Sequence, residues 1–112
     1  MNPADQLRAA AQYLQENGWT QGYLYDHGVP MPSPACAVGA MRAVTDGAAE
    51  EQNLRDVLSS YLEAEGLMSR KRPTPTARRT LTGWNDDPHT TAEDVILAMK
   101  HAAADYESQE SK

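Results

Sequence analysis

The sequence contains no phenylalanine and, among its 112 residues, only one cysteine, Cys36. A single cysteine excludes an intrachain disulfide and leaves too few thiolates for a cysteine-based structural zinc site. Without phenylalanine, the core must be built from Leu, Val, Met, Ala, Tyr and Trp. A chain of this length corresponds to one domain, which must be stabilised mainly by the apolar area that it buries.

Long apolar runs are absent as well. No stretch approaches the roughly 18–20 apolar residues that a membrane-spanning helix needs. The first five residues, MNPAD, have neither the basic nor the apolar region of a secretory signal. Together with the single cysteine, these absences predict a reduced, cytoplasmic protein with no membrane partner.

Positive charge is scarce outside one segment. The chain has ten basic and sixteen acidic residues, a net charge of −6, which opposes non-specific binding to nucleic acid or anionic lipid. Residues 70–79, the basic segment, nevertheless hold five of the ten basic residues and none of the acidic ones. These five are the candidates for nucleic-acid binding: Arg70, Lys71, Arg72, Arg78 and Arg79. Because no aromatic residue is interleaved for base stacking, plain surface charge is the alternative, and nucleic acid is the less favoured partner.

Apolar residues at helical spacing predict about five helices in one compact, mainly α domain over residues 1–106. The predicted spans are 3–17, 35–45, 50–65, a short helix that opens at Thr74, and 92–106. Residues 107–112 are predicted to be a disordered tail. Tyr23 and Tyr25 precede an Asp-x-Gly turn, a pattern that predicts a short β-hairpin near residues 22–31.

Helix-capping residues accompany these spans. Asn2 is predicted to cap the first helix, Ser33 the 35–45 helix, and Thr90 or Thr91 the last helix. Gly66 is predicted to end the third helix in the left-handed conformation.

Several residues are predicted to have structural roles. An interior glycine costs a helix about 1 kcal/mol relative to alanine, so Gly39 indicates that another backbone crosses the central helix. Trp19 and Trp84 are predicted to be core anchors. Asn85 and Asp86 are predicted to bind backbone groups at the turn before the last helix.

Two constellations could carry chemistry. Cys36 is predicted to lie in the first turn of a helix, where the macrodipole lowers a thiol pKa, and His89 with Asn85 could complete a thiol-enzyme set. Against this, cysteine is commonly buried, its neighbours here are small and apolar, and no thiol-enzyme motif surrounds it. The cluster of Asn85, Asp86 and Asp87 with His89 offers oxygen and nitrogen ligands for a metal, but the spacing matches no calcium loop, and cap or turn roles explain these residues. The sequence therefore predicts no metal and no cofactor.

A partner-binding face is a further prediction. Leu97 lies opposite the apolar stripe of the last helix and beside Lys100, and it could share a surface with exposed Tyr23 and Tyr25. The function that we expect is a non-catalytic protein-interaction module with an unknown protein partner, and a homodimer is left open.

Three sequence blocks carry a family resemblance: GWTQG at 18–22, CAVGA at 36–40, and WND at 84–86 followed by TAEDVI at 91–96. With these blocks the chain resembles a family of small uncharacterised proteins of actinobacteria and their phages, classed as a domain of unknown function. The resemblance implies a phage or prophage accessory protein acting on a host partner. It carries over no activity, cofactor or catalytic residue. A nucleic-acid-associated regulator using the basic segment and a thiol-dependent enzyme using Cys36 are the alternatives.

Overall fold

The chain is mainly α-helical, as predicted. The computed structural model describes residues 2–74 and 77–110. Within these residues the helices are α1 (Pro3–Asn17), α2 (Ala37–Ala43), α3 (Ala48–Ala64), α4 (Leu81–Asn85) and α5 (Ala92–Glu110). β-Structure in the same residues is limited to isolated bridges. None of the described helices is long and apolar enough to cross a membrane.

The most extensive helix pair is α1 with α5. Both helices bury alanines, and small side chains let two helix axes approach closely. α3 packs across this pair, and α2 contacts α1, α3 and α4. The largest fully buried apolar side chains between these helices are Leu7, Met41, Leu54, Leu58, Leu62, Val95 and Met99.

The predicted caps of α1 and α3 are confirmed. The Asn2 side chain accepts a hydrogen bond from the backbone N–H of Asp5 at 2.9 Å. Gly66, with φ of 74°, follows α3, and the N–H of Leu67 donates to the carbonyl of Leu62 at 2.9 Å. This backbone bond is the long one of a Schellman motif, and it turns the chain away from the helix.

The predicted start of the central helix is wrong. Its N-cap is Cys36, whose Sγ accepts the N–H of Gly39 at 3.4 Å, whereas Ser33 is fully buried before the helix. The reason is tertiary pairing. The carbonyl of Ala35 accepts the N–H of Thr20 at 3.0 Å, and its own N–H donates to Gly18 at 3.2 Å. These bonds hold Ala35 extended, so the helix cannot begin until that pairing ends.

The predicted hairpin is also wrong. Residues 22–31, all of which the structure describes, do not pair with one another as a ladder. Trp19 and Tyr25 each form a single bridge with Ala35, and the N–H of Asp26 donates to the carbonyl of Pro34 at 2.8 Å. Proline at 30, 32 and 34 removes the donors that a longer ladder would need.

α4 begins at Leu81, after its N-cap Thr80, and not at Thr74. The residues before it are held extended instead, because Met68 and Arg78 form a bridge and the N–H of Ser69 donates to the carbonyl of Arg78 at 2.8 Å. The part of that predicted start at 75–76 lies outside the described residues.

Thr91 caps α5. Its Oγ1 accepts the N–H of Asp94 at 3.2 Å, and the Asp94 carboxylate accepts the N–H of Thr91 at 3.0 Å. This reciprocal pair is a capping box. Thr90 has another role, since its hydroxyl donates to the carbonyl of Trp84 at 2.7 Å.

α5 continues past Tyr106 to Glu110, over the first part of the predicted tail. Arg8 on α1 binds the Glu107 carboxylate, so the last turns of α5 contact α1. Residues 111–112 lie outside the described residues.

Candidate functional site

Asn85 is the centre of a buried polar network. It is fully buried, and its Oδ1 accepts hydrogen bonds from Trp19 Nε1 at 2.7 Å and from the N–H of Ala37 at 2.9 Å. Its Nδ2 donates to the carbonyl of Thr20 at 3.2 Å and to Asp86 Oδ1 at 3.0 Å. An asparagine amide has two acceptor and two donor positions, so every hydrogen-bonding position of this side chain is occupied.

The network continues on both sides of Asn85. Asp86 Oδ1 accepts the N–H of Gly22 at 2.9 Å, and Gln21 Nε2 donates to the carbonyls of Asn85 at 3.0 Å and Asp87 at 2.9 Å. The three sequence blocks therefore meet at this one point. The backbone groups that Asn85 and Asp86 bind belong to Thr20, Gly22 and Ala37, far away in the sequence. The predicted role of Asn85 and Asp86 at the local turn is therefore wrong. A buried amide with no unused donor or acceptor suits a structural role.

Cys36 lies in the core beside this network and is 3% exposed. Burial raises the pKa of its thiol, although backbone N–H groups near the start of α2 act in the opposite direction. The expectation of a lowered pKa is therefore wrong, because the loss of water outweighs the helix dipole. The His89 side chain is 98% exposed and contacts Asp87, while the Asn85 amide is committed to the network. The structure does not assemble the predicted thiol-enzyme set.

We expect Cys36 to react slowly with iodoacetamide in the native protein at pH 8 and rapidly in 6 M guanidinium chloride. A buried thiol with a raised pKa has little thiolate and is shielded from the reagent. Mass spectrometry gives both rates without ambiguity because the chain has no other cysteine. Fast native labelling with an apparent pKa well below about 8.5 would contradict this structural role.

The second candidate site is a groove of about 550 Å³ between the end of α3, the α4–α5 connection and α5. This volume lies in the range of ligand-binding pockets. We call it the Trp84 groove. It is lined by Tyr61, Leu67, Arg78, Trp84, Asp87, His89, Thr90, Asp94, Leu97, Ala98 and His101.

One face of α5 forms a wall of the Trp84 groove. Asp94, Leu97, Ala98 and His101 line it, and this spacing of three, four and seven residues places them on one side of a helix. Leu97 on this wall is 41% exposed, and Leu67, which follows α3, is 43% exposed. Two large aliphatic side chains thus present apolar surface at the same groove.

The polar residues of the Trp84 groove bind mostly to one another. The Asp87 carboxylate accepts the His89 N–H at 2.8 Å and the Arg78 guanidinium at 3.0 Å. The hydrogen bond from the backbone N–H of His89 lowers the pKa of Asp87 most, and the contact with Arg78 lowers it further. Burial and the neighbouring Glu65 raise the pKa of Tyr61. At neutral pH, Asp87 is therefore charged and Tyr61 is neutral.

The five basic residues of the basic segment are exposed, and they differ in their contacts. Arg70 pairs with Glu63, and Arg78 pairs with Asp87. Within the part of the chain that the structure describes, the side chains of the other three basic residues form no ion pair: Lys71, Arg72 and Arg79.

The four predicted partner-binding residues do not form one lining. Only Leu97 lies in the Trp84 groove. Lys100 is exposed on α5, and Tyr23 is 62% exposed with its ring against that of His27 at 5.4 Å. Tyr25 is half-buried, and its hydroxyl donates to the carbonyl of Gly39 at 3.0 Å, which is a packing contact.

Sequence reasoning missed most of the Trp84 groove. Tyr61 lies on α3, Leu67 follows α3, and Trp84 lies on α4, so no local pattern indicates that these side chains line one groove. The one available signal was the 94/97/98/101 face of α5. Among the described residues, no cluster of three or more His, Cys, Asp or Glu side chains could hold a metal ion.

Comparison with known proteins adds a family and no activity. The model of a family of unknown function (DUF6197) matches residues 1–105, so the chain belongs to that family. No curated protein and no solved structure matches it.

Proposed function

We propose that this member of a family of unknown function is a non-catalytic protein-interaction module that binds its partner in the Trp84 groove. The observation that carries the proposal is the exposure of Leu67 and Leu97, at 43% and 41%, on the walls of one groove. Contiguous exposed apolar surface with a polar rim is typical of interaction sites.

Several polar groups at the groove are already bound within the protein, which supports a binding role over a catalytic one. Asp87 is held by His89 and Arg78, and Asp94 is held in the capping box with Thr91. The Thr90 hydroxyl is used by the carbonyl of Trp84. The groove therefore offers a partner mainly shape, apolar area and rim charge.

The resemblance to proteins of actinobacteria and their phages suggests the setting. In this proposal the chain is a phage or prophage accessory protein, and its partner is a host protein. Nucleic-acid binding through the basic segment and thiol chemistry at Cys36 stay as alternative predictions, the latter disfavoured by the burial of the thiol.

Replacing Leu97 with glutamine should abolish partner binding without unfolding the chain. The side chain is exposed, so the change should alter stability by less than about 1 kcal/mol but place a polar amide on the apolar wall. With wild type and Leu97→Gln as baits in the same actinobacterial extract, we expect one protein to be depleted at least tenfold by the variant.

Ala104→Gln is the matched control, since Ala104 is exposed on the same helix and does not line the groove. It should retain the partner. Identical sets of captured proteins from all three baits, or turnover in an activity screen of the purified chain, would refute the proposal.

A further inference from the structure

The basic segment leaves from and returns to the rim of the Trp84 groove. Leu67 and Arg78, which flank most of the segment, both line the groove. Between them, the bridge of Met68 with Arg78 and the bond from the N–H of Ser69 to the carbonyl of Arg78 at 2.8 Å close the base of the loop. The described ends of the loop are therefore anchored at the groove.

Three cations of this loop are available to a ligand. Arg70 and Arg78 are neutralised by Glu63 and Asp87, whereas the side chains of Lys71, Arg72 and Arg79 are exposed and have no acidic partner in the described ranges. This positive charge contrasts with the rest of the chain, which has five basic against sixteen acidic residues. An apolar groove and a local excess of positive charge thus lie side by side.

We infer that the segment bound in the Trp84 groove is an acidic amphipathic peptide of the partner protein, with apolar side chains between Leu67 and Leu97 and carboxylates toward Lys71, Arg72 and Arg79. This inference rests on the proposed function and specifies the chemistry of the partner. Charge complementarity at an interface rim raises the association rate and disfavours like-charged partners. A basic peptide would meet like charge at this rim.

Two other occupants are less well matched. Nucleic acid would use the three cations but leave the apolar walls unpartnered, and Trp84 is only 6% exposed for base stacking. A second copy of this chain would bring acidic surface to the three cations, but two copies that each carry a net charge of −6 also repel one another. Such a dimer would depend on Leu97.

The test is selection from a peptide library displayed on phage, with the full chain as bait and Leu97→Gln as counter-selection. We expect enriched peptides to combine at least two large apolar residues with a net negative charge. Synthetic copies of them should bind the wild type in fluorescence anisotropy and weaken as salt rises, because exposed charges are screened.

The variant Lys71→Ala/Arg72→Ala/Arg79→Ala should bind these peptides at least tenfold more weakly. The control Arg8→Ala/Arg42→Ala/Arg55→Ala removes the same number of positive charges at residues that do not line the groove, and it should change binding less than twofold. Circular dichroism of both variants checks that each is folded.

Failure of this inference is distinguishable from failure of the proposed function. Neutral or basic peptides that still need Leu97, or acidic peptides indifferent to the triple variant, would overturn the inference and leave the interaction module standing. The inference would also be overturned if no peptide were enriched or if sedimentation showed a dimer that depends on Leu97. Binding of duplex or single-stranded nucleic acid in place of peptide would overturn it too.

Discussion

Replacing Asn85 with alanine should lower the free energy of unfolding by roughly 3–5 kcal/mol, because each buried polar group left without a partner costs about 1–3 kcal/mol. The change orphans the indole N–H of Trp19, the first N–H of α2 at Ala37 and the carbonyl of Thr20. For a small domain this is a large fraction of the total stability. Urea unfolding followed by circular dichroism measures the loss.

Asn53→Ala is the control for this prediction. Asn53 is exposed on α3, so its replacement should change stability by about 0.5 kcal/mol or less. If Asn85→Ala kept the wild-type stability but abolished partner capture, the polar network would itself be the functional site and the structural account would be wrong.

Replacing Gly39 with alanine should destabilise the protein by about 3 kcal/mol, at the upper end of the cost of overpacking. A Cβ at this position would lie 2.2 Å from the carbonyl oxygen of Leu24. That oxygen cannot easily move away, because it accepts the N–H of Cys36 at 3.0 Å. The direction of the stability change is itself a test, since replacing glycine with alanine in an exposed helix stabilises a protein by about 1 kcal/mol.

Gly28→Ala is the matched control, because its Cβ would approach nothing closer than Asp26 Oδ1 at 3.4 Å. It should leave the thermal midpoint within about 3 °C of the wild type, a shift of less than 1 kcal/mol. A Gly39→Ala protein as stable as the wild type would show that Leu24 does not cross the helix so closely.

The helical part of the fold was predictable because its signals are local. Apolar spacing in residues 50–65 and the glycine at 66 predict α3 and its end to within two residues. The close crossing at Gly39 was predictable for the same reason, since an interior glycine in an otherwise buried helix points to a nearby backbone.

The errors share one cause, which is pairing between segments distant in sequence. Ser33 has good capping chemistry, but the bonds from Ala35 to Gly18 and Thr20 keep the chain extended there. The N-cap of α2 is therefore Cys36. Bridges to Ala35 from Trp19 and Tyr25 form in place of the predicted hairpin. Local patterns do not contain these competing bonds.

The sequence alone determined a single, mainly α domain, the identity of most helices, and which residues have special roles: two tryptophans, one interior glycine and one polar cluster. Only the tertiary structure decided what those residues do together. It brought Trp19, Ala37 and Asn85 into one saturated network, and it opened the Trp84 groove beside the basic segment. Helix periodicity is encoded in neighbouring residues, whereas a groove is formed by the relative placement of helices that no local pattern specifies.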